Sequence, residues 1–269
     1  MSAPIYRSLF GFKKEPFAAD LRREEILQTP ALAEVAQRFD YVVRLGAVGL
    51  VTGEVGSGKS TALRWAAGAL HPSEYRVLWI TASGGSILET YRQLSAALEV
   101  ESKSFSRALL TRIIRAQILA LVAQKIHPVL IIDEASLLRI DVLTELHTIC
   151  QFEGDSRPLL PLILAGQNNL VEQLQYRACQ PLGSRIVARS HLDGISREQM
   201  QLYLAHHLKV AGVSASLFSD QALTAIHQGS GGLLRRANHL ARGSLVAAAA
   251  EKCHQVAAEH VRLAASELM

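Results

Sequence analysis

Glycine, lysine and hydroxyl side chains are concentrated in one short segment, Gly53–Ser60, which reads Gly-Glu-Val-Gly-Ser-Gly-Lys-Ser. An apolar run, Val48–Thr52, precedes it and a helical stretch, Thr61–Leu70, follows it, which is the context of a phosphate-binding loop. We expect ATP here, with Lys59 at the β- and γ-phosphates and the Ser60 hydroxyl on Mg²⁺. A glycine-rich turn without a ligand is the alternative. Backbone N–H groups of the loop would surround the phosphates, and the loop residues are Gly53, Glu54, Val55, Gly56, Ser57 and Gly58.

Two adjacent carboxylates, Asp133 and Glu134, follow the apolar run Val129–Ile132. Such a run predicts a buried central strand whose last residues emerge beside the phosphates. We expect Asp133 to hold Mg²⁺ through water, and Glu134 to orient and deprotonate the water that attacks the γ-phosphate. The alternative is a solvated strand end without a catalytic role.

Polar side chains also follow a third apolar run, Leu162–Gly166. Gln167 is the first candidate to hydrogen-bond the attacking water or the γ-phosphate, and Asn168 is the second. The alternative is the polar start of a loop.

Two arginine-containing segments complete the candidate site. Arg185 and Arg189 lie in the segment Gly183–Arg189, at the end of the α/β core, where a neighbouring subunit could insert a guanidinium at the γ-phosphate. Ordinary surface ion pairs are the alternative for both. In the segment Gly231–Arg236, one of the two final arginines could report the γ-phosphate to the helices that follow, and the other would be solvated.

The elements that must position these residues alternate between strands and helices up to about residue 192. Strands are predicted at Val48–Thr52, Val77–Thr81, Val129–Asp133 and Leu160–Ala165. Helices are predicted between them at Thr61–Leu70, Ile87–Leu98 and Arg107–Lys125, and afterwards at Arg197–Ala211, Ser219–His227, Leu233–Lys252 and Ala257–Glu267. Ser196 and Ser219 are the expected caps. The fold class is therefore α/β, with a parallel sheet covered on both faces and a small all-α lid domain. The expected divisions are 1–47 (a segment packed on the core), 48–192 (the α/β core) and 193–269 (the lid).

Composition excludes several classes of protein. Hydrophobic residues make up 49% of the 269 residues and charged residues 19%, as in globular proteins. The formal charge of +4 permits an acidic partner without requiring one. Three widely spaced cysteines favour a reducing compartment, and neither a signal peptide nor an uninterrupted membrane span is evident. We expect a cytoplasmic protein.

The motifs resemble those of the ExeA/TnsC-like branch of AAA+ P-loop ATPases over nearly the whole chain. The similar segments are Tyr6–Phe17, Thr52–Thr61, Asp133–Ala135, Leu164–Gln167, Arg185–Leu192 and Ser230–Asn238. The resemblance implies that Thr61 belongs to the ATP site, that Arg185 is an arginine finger and that Arg235 is the sensor of the γ-phosphate. Leu234 stands where the family usually has Pro.

Members of this branch are oligomers, typically hexameric rings or helical filaments that hold ATP between subunits. Some energise secretion and carry a membrane segment and a cell-wall module after the ATPase core, and others bind double-stranded DNA and recruit a transposase. Because the sequence ends at Met269 without such modules, we expect a regulator of transposition. A secretion-associated ATPase and a nucleotide-gated scaffold with negligible turnover are the alternatives.

A small basic and hydroxyl-rich cluster is the candidate DNA surface. Lys103, Ser104 and Arg107 are its first members, and Arg112 and Arg115 follow. Repeated around a ring, a few such contacts per subunit would neutralise many phosphates with little sequence preference. A solvated helix face is the alternative.

Overall fold

In the computed structural model, which describes residues 5–100 and 106–267, the chain forms two compact units. One comprises residues 29–53 and 59–192 and is called the α/β unit. The other comprises the N-terminal residues up to 28, the short stretch 54–58 and the residues from 193 onward, and is called the helical unit.

The α/β unit is built on one parallel sheet of five strands in the order β2-β3-β4-β1-β5. This confirms the predicted fold class, an α/β P-loop architecture with helices on both faces of the sheet. The strands are β1 (Val48–Gly53), β2 (Tyr75–Thr81), β3 (His127–Asp133), β4 (Leu162–Gly166) and β5 (Ile186–Leu192).

Strand β5 was not predicted from the sequence. It lies at the edge of the sheet and pairs only with β1 among the described strands. Val187, Arg189 and His191 are exposed along it, and Ser190 and Leu192 are buried. A half-exposed edge strand lacks the continuous apolar run that marks a central strand.

The helices of the α/β unit bury apolar stripes against the sheet. In α5, for example, Leu110, Ile114, Ile118 and Leu121 recur at helical spacing, and all four are buried. The helices are α2 (Pro30–Leu45), α3 (Lys59–Ala67), α4 (Ile87–Ala97), α5 (Arg107–Ala123), α6 (Ile140–Leu146), α7 (Asn169–Gln175) and α8 (Gln180–Gly183). Helix α2 was not predicted, although Thr29 caps its N-terminus by accepting the Leu32 N–H group.

The helical unit contains α1 (Ile5–Phe10), α9 (Arg197–Val210), α10 (Asp220–Ser230), α11 (Leu234–Ala250) and α12 (Ala258–Ser266). The predicted caps are confirmed, because Ser196 accepts from the Gln199 N–H group and Ser219 from the Ala222 N–H group. In the part of the chain that the structure describes, no helix combines the length and the apolar character that crossing a membrane requires.

The N-terminal aromatic residues belong to the core of the helical unit. Tyr6, Phe10, Phe12 and Phe17 are buried in one cluster with residues of α9, α10 and α11. The guanidinium of Arg242 on α11 also donates to the Phe17 carbonyl at 2.7 Å. The sequence predicts one segment, 1–47, packed on the α/β core, whereas the chain divides after residue 28. The aromatic side chains supply apolar area to the helical unit, and α2 belongs to the α/β unit.

His207 lies inside this aromatic cluster. Its ring centroid is 5.4 Å from that of Phe17 and 4.4 Å from that of Tyr203. Burial, with a smaller contribution from His206, lowers the pKa of His207 from 6.5 to about 4. The folded protein therefore holds the neutral imidazole at neutral pH.

We predict that the helical unit loses stability in acid through His207. Because the folded pKa of about 4 is below the unfolded value of 6.5, the unfolded chain binds the additional proton between these values. The free energy of unfolding should then fall by up to about 1.4 kcal/mol per pH unit as the pH falls from 6.5 to 4. Chemical denaturation at several pH values measures this slope. His207→Phe should flatten it, the exposed control His254→Phe should not, and equal slopes in all three proteins would contradict the prediction.

Candidate active site

The glycine-rich loop connects β1 to α3, as the sequence predicts. Gly56 and Gly58 have φ values of 86° and 100°, which other residues rarely adopt. Lys59 is the first residue of α3, and its side chain is buried with Nζ donating to the Gly53 carbonyl at 2.9 Å. Ser60 follows on α3, partly buried, and Thr61 is next to it. The lysine ammonium is thus held back over its own loop.

The two carboxylates stand at the end of the central strand β3. Asp133 is its last residue, is buried, and accepts the Glu134 N–H group on Oδ1 at 2.9 Å. Glu134 is partly buried and has a φ of 53°, in the left-handed region. A 3₁₀ turn, Ala135–Leu137, begins directly after it.

The sheet places these residues at the carboxyl ends of its central strands. Strand β4 lies between β3 and β1, and its last residue, Gly166, pairs with Thr52 of β1. Because all three strands are parallel and neighbouring strands lie about 4.8 Å apart, β3 ends about 10 Å from β1. Lys59, Gln167 and the Asp133–Glu134 pair therefore follow strand ends at the same edge of the α/β unit.

Gln167 directly follows β4 and is partly buried, whereas Asn168 is exposed and immediately precedes α7. The glutamine thus lies closer to the strand ends, and its contact with the attacking water or the γ-phosphate stays a prediction.

Arg185 lies at the opposite ends of the strands, beside the amino-terminal end of β1. Its carbonyl accepts the Val48 N–H group, at the start of β1, at 3.2 Å. Its guanidinium donates to the Asp155 carboxylate at 2.5 Å and also to the Pro181 carbonyl. No sequence pattern points to Asp155, which lies 30 residues from Arg185 in the chain. Arg189 lies in the middle of β5, opposite Leu50, with an exposed side chain.

Arg235 is brought to the glycine-rich loop within the helical unit. Its N–H group donates to the Gly56 carbonyl at 3.1 Å, and a Cβ atom on Gly56 would lie 2.9 Å from the Arg235 Cβ. Arg236 is also exposed and makes no such backbone contact. Leu234 is the first residue of α11, and the first position of a helix is the one at which Pro is best tolerated. The replacement of the usual Pro by Leu is therefore compatible with the same helix start.

The candidate DNA residues are only partly described. Lys103 and Ser104 lie outside the described residues. Arg107 is exposed at the start of α5 and pairs with Glu145 at 2.5 Å. The guanidinium of Arg115 donates to the Thr148 carbonyl at 2.6 Å and lies over the Phe152 ring, so this arginine supports the fold.

Comparison with known proteins places this geometry in a family. Residues 43–174 match the model described as an AAA domain. General secretion pathway protein A of Aeromonas hydrophila is 32% identical over 98% of the chain, and the chain spans about half of that protein, 48%. Among solved structures, Cdc6p from Pyrobaculum aerophilum has a TM-score of 0.77 at 17% identity, covering 98% of this chain and 71% of that one. The Aeropyrum pernix ORC1 protein in complex with DNA has a TM-score of 0.71 at 17% identity, with coverages of 94% and 68%.

The AAA-domain match spans the glycine-rich loop, the Asp133–Glu134 pair and Gln167. The similar structures share the parallel sheet and the helices that follow it. Residues 43–174 therefore carry an AAA domain, and the similarity of the chain to P-loop ATPases supports ATP hydrolysis at this site.

Proposed function

We propose that this chain is an ATP-dependent, oligomerising ATPase that binds double-stranded DNA and regulates transposition by marking target DNA and recruiting a transposase. The observation that carries the proposed ATP hydrolysis is that four residues follow the carboxyl ends of neighbouring strands: Lys59, Gln167, Asp133 and Glu134. The DNA part is supported by the similar structures and by the basic segment around Arg107.

In the proposed reaction, the loop N–H groups and the Lys59 ammonium bind the β- and γ-phosphates of ATP. The Ser60 hydroxyl and the buried Asp133 carboxylate offer oxygen ligands, which Mg²⁺ prefers, and so fit this ion. Mg²⁺ bound there would neutralise phosphate charge. Glu134 accepts a proton from a water molecule oriented by Gln167 while the water oxygen bonds to the γ-phosphorus. The bond from that phosphorus to the bridging oxygen breaks, and ADP and phosphate leave.

Two substitutions test this chemistry. Lys59→Ala should abolish ATP binding, because it removes the ammonium that offsets phosphate charge. Glu134→Gln should bind ATP normally and hydrolyse it at least about 100-fold more slowly, because a carboxamide accepts no proton from water. Titration with a fluorescent ATP analogue and a phosphate-release assay measure the two effects. The exposed controls Lys209→Ala and Glu172→Gln should behave like the wild type, and normal turnover by Glu134→Gln would assign the base elsewhere.

The position of Arg185 supports action on a neighbouring subunit's ATP. Strand β1 runs from Val48, which lies beside Arg185, to Gly53, which begins the glycine-rich loop. The five residue-to-residue steps between them span about 16 Å, more than the length of an arginine side chain. Arg185 thus lies too far from its own loop, and ATP hydrolysis with this arginine requires an oligomer. A hexameric ring and a helical filament both meet that requirement.

Mixed oligomers test this proposal. Arg185→Ala should bind ATP but lose most of its hydrolysis, because a finger supplied in trans contributes about 10³–10⁵ in the GTPases that use one. A trace of Arg185→Ala protein in excess Glu134→Gln protein should regain activity, because an Arg185→Ala subunit keeps Glu134 and receives a neighbour's arginine. Arg189→Ala, tested in the same way, shows whether Arg189 is the finger instead. Activity equal to the sum of the separate variants would contradict action in trans.

The proposed DNA function rests on two observations. The ORC1 structure of similar fold is a complex with DNA. In this chain, Lys103, Ser104 and Arg107 provide cationic and hydroxyl groups directly before and at the start of α5. ATP-dependent oligomers would repeat these groups, so that weak phosphate contacts add up.

DNA binding should increase with ATP and decrease steeply with salt, because each neutralised phosphate releases counterions. Lys103→Ala with Arg107→Ala should weaken binding to all sequences alike and lower the salt slope by about two per engaged subunit. Glu145→Gln should strengthen binding, because it frees Arg107 from its carboxylate. Filter binding of non-specific duplex DNA, with and without a non-hydrolysable ATP analogue, measures these effects. Wild-type protein that ignores DNA in the presence of the analogue would exclude the DNA function.

A secretion-associated ATPase is the second candidate. The similarity to General secretion pathway protein A over 98% of this chain favours it as directly as the DNA-bound ORC1 structure favours the first. The filter-binding experiment separates them, because the secretion candidate predicts ATP-dependent assembly and turnover without affinity for duplex DNA. Assembly with ATP but without measurable turnover would indicate the nucleotide-gated scaffold.

A further inference from the structure

The backbone of Glu134 has an unusual conformation. Its φ and ψ of 53° and 32° are left-handed values that a residue with a Cβ atom adopts only when its surroundings enforce them. Its N–H group is bound by the Asp133 carboxylate, and its carbonyl accepts the Leu137 N–H group at 2.9 Å. The direction of the Glu134 side chain therefore depends on the 3₁₀ turn Ala135–Leu137 that follows.

This turn packs directly on the end of β4. A Cβ atom on Gly166 would lie 2.8 Å from the Ser136 backbone nitrogen and 3.1 Å from the Ser136 Cβ. Gly166 immediately precedes Gln167, the residue proposed to contact the γ-phosphate. A displacement of Gln167 would therefore be transmitted through Gly166 to the 3₁₀ turn that packs on it.

A second contact joins the turn to α7, the helix that follows Gln167. Nε2 of Gln173 donates to the Ser136 carbonyl at 3.5 Å, the long limit of a hydrogen bond. Two further polar atoms of the same residues, Ser136 Oγ and Gln173 Oε1, are buried without a hydrogen-bond partner among the described residues. One is a donor and the other an acceptor, and burial makes their unpaired state costly.

We propose that Ser136 and Gln173 are positioning residues that link the Gln167 segment to Glu134. When Gln167 contacts the γ-phosphate, α7 moves toward the turn, and the Ser136 hydroxyl donates to Gln173 Oε1. The pairing of the two buried atoms then fixes the turn, and with it the carboxylate that accepts the proton of water. This inference rests on the proposed roles of Glu134 and Gln167.

Ser136→Ala and Gln173→Leu, singly and together, test the link, with Gln175→Leu as the matched control at an exposed position of the same helix. Single-turnover ATP hydrolysis should fall about 10–100-fold in each variant, because small displacements of a catalytic group have such effects. The Kd for the ATP analogue should stay within about twofold. The double variant should fall no further than a single one, because both substitutions remove the same hydrogen bond. In a Glu134→Gln background, neither substitution should reduce the residual rate.

The outcomes separate this inference from the function on which it rests. Normal turnover by Glu134→Gln would refute the catalytic role of that residue. An inactive Glu134→Gln with wild-type rates in Ser136→Ala and Gln173→Leu would overturn the link alone. Additive losses, or a weaker Kd for the analogue, would also overturn it, because they indicate two independent structural defects. Ser136→Ala removes a single oxygen atom and decides the test if Gln173→Leu unfolds in a thermal melt.

Discussion

Parallel pairing of β3, β4 and β1 is the constraint on which the candidate site depends. The chain visits these strands in the order β1, β3, β4, yet β4 lies between the other two in the sheet. Only this crossover brings the residue after β4 between the glycine-rich loop and the carboxylates. Its register is fixed by apolar side chains buried on both faces, such as Leu130, Leu162 and Val48 in one row. The positions of Lys59, Gln167 and Asp133 follow from that packing.

The same constraint separates two functions along the strand direction. Groups that follow strands β1, β3 and β4 meet at the carboxyl ends of the strands. Arg185 precedes β5 and therefore lies at the amino-terminal ends. In the monomer its charge is balanced by Asp155. The Asp155 side chain of this ion pair is 48% exposed, so the pair contributes little to stability. Breaking this ion pair would therefore cost little, which is consistent with the proposed action of Arg185 on a neighbouring subunit's ATP.

How much the sequence could predict depended on whether a feature is local in the chain. The Gly53–Ser60 loop and the Asp133–Glu134 pair were predictable because the flanking apolar runs already define their context. Strand β5 was missed because its exposed Val187 and buried Ser190 break the polar–apolar alternation that marks a half-buried strand. The N-terminal aromatics gave no sign of the unit they join. The contacts of Arg185 with Asp155, and of Ser136 with Gln173, connect residues 30 and 37 positions apart. No local pattern encodes such pairs, so only the folded structure reveals them.

The glycine-rich loop itself is shared between the two compact units. Gly53 and Lys59 belong to the α/β unit, and residues 54–58 cluster with the helical unit. The reason is a backbone contact, because the Arg235 N–H group binds the Gly56 carbonyl and Gly56 has no side chain to prevent that approach. The start of α11 is therefore held at the glycine-rich loop by a main-chain hydrogen bond.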